Sequence, residues 1–266
     1  MRVATGKAIS PARSALMVIE AFWTWYKRNW RSSAVSSFLQ PLLFLVALGL
    51  GFGSQVTPSE ATLGLPYVQY LAPALVCAAA MQTAAFESTF PVLSSFKWQR
   101  NYIAITSTPI GPKPLVGGVL AWIAVRLAVS AVIFLVVADL LGDMIGPAAA
   151  VALTAAVLTG MATAAPIVAY SSTIETEGQQ FNAIFRFIVM PMMMFSGTFF
   201  PVEQLPGWVQ PLVWITPLWH GTELSRGLSF GAIDVLPALG HTAFLLALIA
   251  AGAYICTRTF TRRLAV

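Results

Sequence analysis

Val235-Leu-Pro-Ala-Leu-Gly-His-Thr-Ala-Phe-Leu-Leu-Ala-Leu-Ile-Ala-Ala-Gly-Ala-Tyr-Ile-Cys-Thr257 contains no Asp, Glu, Lys or Arg. A helix of about 20 apolar residues crosses a hydrocarbon core about 30 Å thick, so this stretch is long enough to span a bilayer. Residues 32–59 and 144–174 are free of the same four residue types. Three such gaps in 266 residues describe a polytopic membrane protein. Composition agrees, with 58% hydrophobic and 9% charged residues, against about 25% charged in an ordinary soluble domain. A surface that apolar would be adhesive in water, whereas lipid requires no polar coat.

Several function classes drop out. No run of basic residues interleaves with aromatics on a polar face, so nucleic acid is not an expected partner. Cys77 and Cys256 both fall inside expected spans and read as small packing residues, not as a disulfide framework or metal site. The first apolar run follows some thirty polar and aromatic residues, so no cleavable signal is expected.

Six crossings are expected, at about 33–53, 68–90, 115–138, 147–171, 182–200 and 236–257. Backbone groups in lipid must be bonded internally, so each is a helix and the fold class is all-α. Arg2, Lys7, Arg13, Lys27, Arg28, Arg31, Lys97, Arg100, Lys113, Arg186, Arg258, Arg262 and Arg263 then share one side. The opposite loops carry Glu60, Asp139, Asp143, Glu203, Glu223 and Asp234, with Arg226 as their only basic residue. The positive-inside bias puts both termini in the cytoplasm of a multi-pass cell (inner) membrane protein. No repeat or soluble segment interrupts the chain, which reads as one membrane domain over 1–266.

Residues 11–31 hold Leu16, Ile19, Phe22, Trp23, Tyr26 and Trp30 at steps of three and four. That spacing, with Lys27, Arg28 and Arg31, suits an amphipathic helix in the inner headgroup layer. A plain aromatic belt extending the first span is the other reading.

The second inner segment, 90–114, mixes charge, aromatics and proline. A short helix around 93–105 would expose Lys97, Arg100 and Asn101 and bury Leu93, Phe96 and Ile103. Pro109, Pro112 and Pro114 would then stop it. Such a helix suits docking to a cytoplasmic partner; an ordered turn between spans is the alternative.

After the fifth span, residues 204–222 are nearly uncharged and apolar, yet Pro206, Pro211 and Pro217 interrupt them. A straight spanning helix does not tolerate that spacing. A re-entrant hairpin of two short helices over 201–220, dipping into the outer leaflet, does. Trp208, Trp214 and Trp219 match interfacial depth.

Ser196-Gly-Thr-Phe-Phe-Pro-Val-Glu-Gln-Leu-Pro-Gly-Trp208, followed by Pro217-Leu-Trp-His220 and Arg226, resembles the permeases of type-2 ATP-binding-cassette (ABC) exporters. Within them it is similar to the nodulation lipo-oligosaccharide branch, whose relatives include multidrug exporters. Glu87-Ser-Thr-Phe90 and the Gln99-Arg100 … Thr108-Pro109 run look like the same branch, and the likeness covers nearly the whole chain. The resemblance implies a dimer of permeases, identical or closely homologous, docking two copies of a separate nucleotide-binding subunit. It assigns that docking to the coupling segment 93–110, with Phe96, Lys97, Gln99, Arg100, Tyr102, Thr108 and Pro109 as candidates. It also implies an outer gate at Gly197, Phe199, Phe200, Pro201, Pro206, Trp208, Pro211, Pro217 and His220. No cofactor belongs to this chain; ATP and Mg belong to the docked subunit.

Two charges are expected below the headgroups. Arg126 lies about 17 Å into its span at 1.5 Å per residue, and Glu87 is the nearest candidate partner on that side. A Glu87–Arg126 pair, cargo contact and simple snorkelling are all compatible with a central charge costing about 2.5–3.5 kcal/mol. Met190, Met193, Met194 and Phe195 offer either ordinary packing or a wall for greasy cargo. Gly117, Gly118, Ala121 and Ala124 would let helices approach closely. His220 and His241 read as lone structural histidines, and Glu175 and Glu177 as a solvated turn.

The chain has no G-x-x-x-x-G-K-[ST] loop, so it is not expected to be its own ATP motor. The favoured function is a permease subunit of an ATP-driven exporter moving an amphipathic cargo, such as a lipid-linked saccharide or hydrophobic drug. A lipid-modifying transferase using His220, Glu223 and Arg226, or a proton-coupled transporter built on Glu87, are the alternatives.

Overall fold

A computed structural model describes residues 10–44, 46–47, 51, 57, 62, 64–140, 147–231 and 233–264. Arg2, Lys7, Glu60, Asp143, most of 45–53 and the side chains of Trp30 and Arg31 lie outside the described residues. Among the described residues the regular structure is all helical, without a strand.

Helix α1 (Pro11–Phe44) is followed by α2 (Tyr67–Ser88), then by the short α3 (Phe90–Lys97) and α4 (Asn101–Thr106). Two long helices come next, α5 (Pro112–Leu140) and α6 (Pro147–Ser171). The pieces α7 (Gln180–Ile184) and α8 (Met190–Phe195) are joined by a π-helical stretch, Phe185–Val189. Beyond them lie α9 (Gln210–Trp214), α10 (Pro217–Ser229) and α11 (Val235–Leu264).

Four stretches among the described residues are long and apolar enough to cross a membrane: Tyr67–Lys97, Pro112–Leu140, Ala148–Ser171 and Val235–Leu264. The fifth expected span is shorter than the sequence suggests. Its apolar helix, Gln180–Phe195, ends five residues before the expected 200. Gly197 adopts φ +79°, a left-handed conformation that L side chains rarely adopt, and ends the helix there. Residues 11–31 and the first expected span as far as Phe44 form one uninterrupted helix.

Helix α6 is the hub, packed against α2, α5, α10 and α11. Its buried face is mostly alanine: Ala152, Ala155, Ala156, Ala162, Ala164 and Ala165. Small residues let membrane helices come together backbone to backbone. Gly252 of α11 fits against α6 where Pro166 has no N–H; a Cβ there would lie 2.7 Å from both Ala165 Cβ and Pro166 N. Backbone atoms cannot rotate aside, so Gly252→Ala is expected to destabilise by about 1–3 kcal/mol, the usual range for overpacking. The thermal midpoint of the solubilised chain would report it, and an unchanged midpoint would contradict this packing.

The α1–α5 seam works the same way. Val18 is buried against Gly118, where a Cβ would come within 2.6 Å of Val18 Cβ. Gly117 has nothing within 4 Å of its Cβ position, so only one of the two adjacent glycines serves this contact. The inward stripe of α1 is Ser14, Val18, Phe22 and Tyr26; Leu16, expected on that face, is 64% exposed.

Candidate functional site

The elbow between α2 and α5 is made by two local backbone departures. Thr89 leaves helical geometry at φ −101°, ψ −101°, and Pro91 opens α3 immediately after it. Arg100 sits at φ 53°, left-handed without being glycine, a conformation costing roughly 1–3 kcal/mol unless its surroundings hold it. The expected single helix over 93–105 is therefore two helices with Arg100 between them.

An aromatic keystone holds this bend. Phe96 and Tyr102 meet edge to face at 4.8 Å, and both pack on Phe260 of α11, at 4.8 and 5.5 Å. The Arg263 guanidinium lies 4.3 Å over Phe96, while its Nη1 donates to Ser172 O at 2.7 Å. Burial pushes the Tyr102 hydroxyl above its ordinary range, so it stays neutral. Phe96 and Tyr102 are thus internal to the fold of this chain. Gln99, Arg100, Thr108 and Pro109 are exposed. So is Ile103, a correction to its expected burial, because the break at Arg100 turns α4 relative to α3. Lys97 Nζ donates to Glu177 Oε1 at 2.6 Å, which ties the elbow to the segment before α7 instead of leaving Glu177 a merely solvated turn.

Beside the elbow a cavity of about 720 Å³ opens between α1, the elbow and α5, walled by Phe22, Trp25, Trp98, Tyr102 and Trp122. Glu87 contributes its one carboxylate. That carboxylate is engaged: Arg126 donates to Glu87 Oε1 from Nη2 at 2.6 Å and from Nε at 3.1 Å. The guanidinium also lies 4.6 Å from the Tyr26 ring. Of the three arrangements open to Arg126, the structure adopts the pair, and α1, α2 and α5 meet on it.

A second constellation holds the other end of the bundle. The turn 196–200 has carbonyls that no helix uses. Arg226 Nη2 donates to Gly197 O at 3.1 Å and to Thr198 O at 3.4 Å, and its Nε to Tyr70 O at 3.3 Å. Its guanidinium stacks 3.8 Å from the Tyr70 ring, and Tyr67 Oη donates to Phe199 O at 3.0 Å. Glu223 is the nearest carboxylate, 3.9 Å from Arg226. Thr216 caps α10 by accepting from Trp219 N at 3.3 Å, and Pro217 and Pro211 sit in the first turns of α10 and α9.

His220 and His241 are not solitary. Their Nδ1 atoms are 2.9 Å apart, and His220 Nε2 lies 2.9 Å from Trp214 O. A carbonyl only accepts, so His220 carries its proton on Nε2 and His241 donates from Nδ1. His220 also stacks on Phe244 at 3.8 Å. His220 and Arg226 are held by carbonyl and ring contacts, while the half-exposed Glu223 makes, among the described residues, only the 3.9 Å ion pair with Arg226. Of the methionine cluster, Met193 is buried, accepting from Gln82 Nε2, whereas Met190, Met194 and Phe195 are exposed.

Sequence reasoning missed Tyr26, Tyr67, Tyr70, Phe260 and Arg263 as supporting residues. Arg226 itself was marked by its isolation among acidic loops and by its place in the motif after His220.

The ABC-2 type transporter family is matched over residues 15–230. Nodulation protein J of Rhizobium meliloti (strain 1021) is 30% identical over 220 residues, covering 79% of this chain and 82% of that protein. Nodulation protein J of Sinorhizobium fredii is 31% identical over 215 residues, 77% of this chain and 80% of its own. A probable multidrug ABC transporter permease, YbhR of Escherichia coli (strain K12), is 41% identical over 56 residues, 21% of this chain and 15% of that one. No solved structure matches. The chain belongs to the ABC-2 type transporter family and is the membrane permease subunit of an ABC exporter.

Proposed function

We propose that the elbow is the seat of an ATP-binding subunit, and that closure of two such subunits drives an amphipathic cargo outward between two copies of this permease. The observation that carries this is the elbow's construction: a buried Phe96–Tyr102–Phe260 keystone beneath an exposed apex of Gln99, Arg100, Thr108 and Pro109. A stiff base under a polar rim can take up a push from outside and pass it to α2, α5 and α11 together. ATP and Mg act on the docked subunit, and this chain supplies no catalytic residue.

In this reading the chain crosses the inner membrane six times, with α1 and Gln180–Phe195 as the first and fifth crossings and both termini cytoplasmic. Residues 201–220 re-enter the outer leaflet and close the path outside. The exposed face of Met190, Met194 and Phe195 meets the second copy and lines the route. Methionine adapts to varied apolar shapes, which suits a lipid-linked saccharide or a hydrophobic drug. The name of the multidrug relative, matched over 56 residues, supports the drug end of that range.

Arg100→Glu tests the docking assignment. The exposed cation becomes an anion without disturbing the keystone, and ATPase stimulation of the co-purified subunit should fall about tenfold, within the range of ordinary coupling energies. Unchanged stimulation would remove the elbow from the interface.

A further inference from the structure

The C-terminal end of α11 and the first turn of α5 border an open groove of about 780 Å³ that no part of the transport reading uses. Its lining includes Lys113, Arg258 and Arg262 with no carboxylate. The threonine hydroxyls there, Thr257, Thr259 and Thr261, donate to carbonyls of their own helix, so the cations are the donors left for a ligand. Arg258 lies 4.8 Å over the Tyr254 ring. Lys113 and Arg262 form no ion pair or hydrogen bond among the described residues. Arg263, one residue on, turns inward to Phe96 and Ser172.

Tyr254, Arg258 and Arg262 recur every four residues and share one face of α11. Towards the N-terminus that face continues as exposed Ala251, Ala247, Ala243 and Leu236. Ten residues before Tyr254 rise about 15 Å, the depth of one leaflet's hydrocarbon. Only 17% of the apolar window of α11 is buried, the lowest share among the four long helices. An apolar strip one leaflet deep that ends in three cations matches a phospholipid with a negative headgroup. A second copy does not fit, because a two-fold contact here would set Arg258 and Arg262 beside their own counterparts.

We infer that Lys113, Arg258 and Arg262 bind the phosphate of an anionic phospholipid whose acyl chains lie along the exposed face of α11. The inference goes beyond the transport reading and depends neither on the docked subunit nor on the cargo.

The full-length chain, purified in detergent, would be titrated with dioleoylphosphatidylglycerol, dioleoylphosphatidylcholine or inorganic phosphate, with bound lipid counted by native mass spectrometry. Phosphatidylglycerol should be retained in preference to phosphatidylcholine. Each cation near an anionic surface contributes about fivefold, so Arg258→Gln with Arg262→Gln should weaken phosphatidylglycerol binding about 30-fold. Lys113→Gln alone should weaken it about fivefold, which keeps the test open if the double variant misfolds. Lys27→Gln with Arg28→Gln removes the same charge elsewhere and should leave retention unchanged. Equal retention of both lipids, equal loss in the Lys27/Arg28 variant, or phosphate binding as tightly as the lipid would each overturn the site.

Discussion

Arg226→Met is expected to release the 196–200 turn and to cost about 3–5 kcal/mol of stability. The Gly197 and Thr198 carbonyls have no helical partner, and the arginine supplies their donors at 3.1 and 3.4 Å. An orphaned buried carbonyl costs about 1–3 kcal/mol, and the stacking on Tyr70 contributes up to about 2 kcal/mol where water is excluded. Methionine fills similar space but donates nothing. Arg226→Lys should fall between, since one ammonium cannot fork across carbonyls that a planar guanidinium reaches together. Tyr67→Phe should cost only about 1 kcal/mol, because it removes a single donor, the one to Phe199 O. Thermal midpoints of the three solubilised variants check the order. A stable Arg226→Met protein would show that the clasp is ornamental.

Arg126→Leu should cost about 3 kcal/mol, the lower end for breaking a buried pair, because the two side chains remain 13% and 20% exposed. The cost is chiefly that of Glu87 left as an unpaired carboxylate among apolar helices. Replacing both residues by leucine should therefore restore most of the lost stability, although two side chains are then missing instead of one. A double variant no better than the single would mean that Glu87 never depended on Arg126. Normal stability with lost transport in Arg126→Leu would move the arginine from strut to cargo contact.

Much of the helical layout was legible because lipid leaves little freedom. The charge-free run expected as a helix over 147–171 is α6, Pro147–Ser171. The expected 115–138 and 236–257 are the cores of α5 and α11. Helix α11 runs seven residues further because backbone hydrogen bonding does not stop at the first arginine, and the extra turns carry Phe260 into the elbow. What stayed hidden was set by backbone choice or by distant partners. Nothing about an arginine announces a left-handed residue at position 100. The contact between His220 and His241 needs the chain to reverse between α10 and α11. Phe96 and Tyr102 fit the elbow motif as candidate contacts, and only their shared packing on Phe260, more than 150 residues away, turns them inward.

The alanine face of α6 has a mechanical consequence. Helices separated by single methyl groups have no long side chains between them that could change rotamer and absorb a shift. Where α6 meets α2 and α11 the contacts are expected to be stiff for that reason, whereas its contact with α5 carries the long side chain of Leu127 against Gly160. A cycle of opening is expected to bend instead at the rim, in the π-helical stretch Phe185–Val189 and the proline-broken loop that follows.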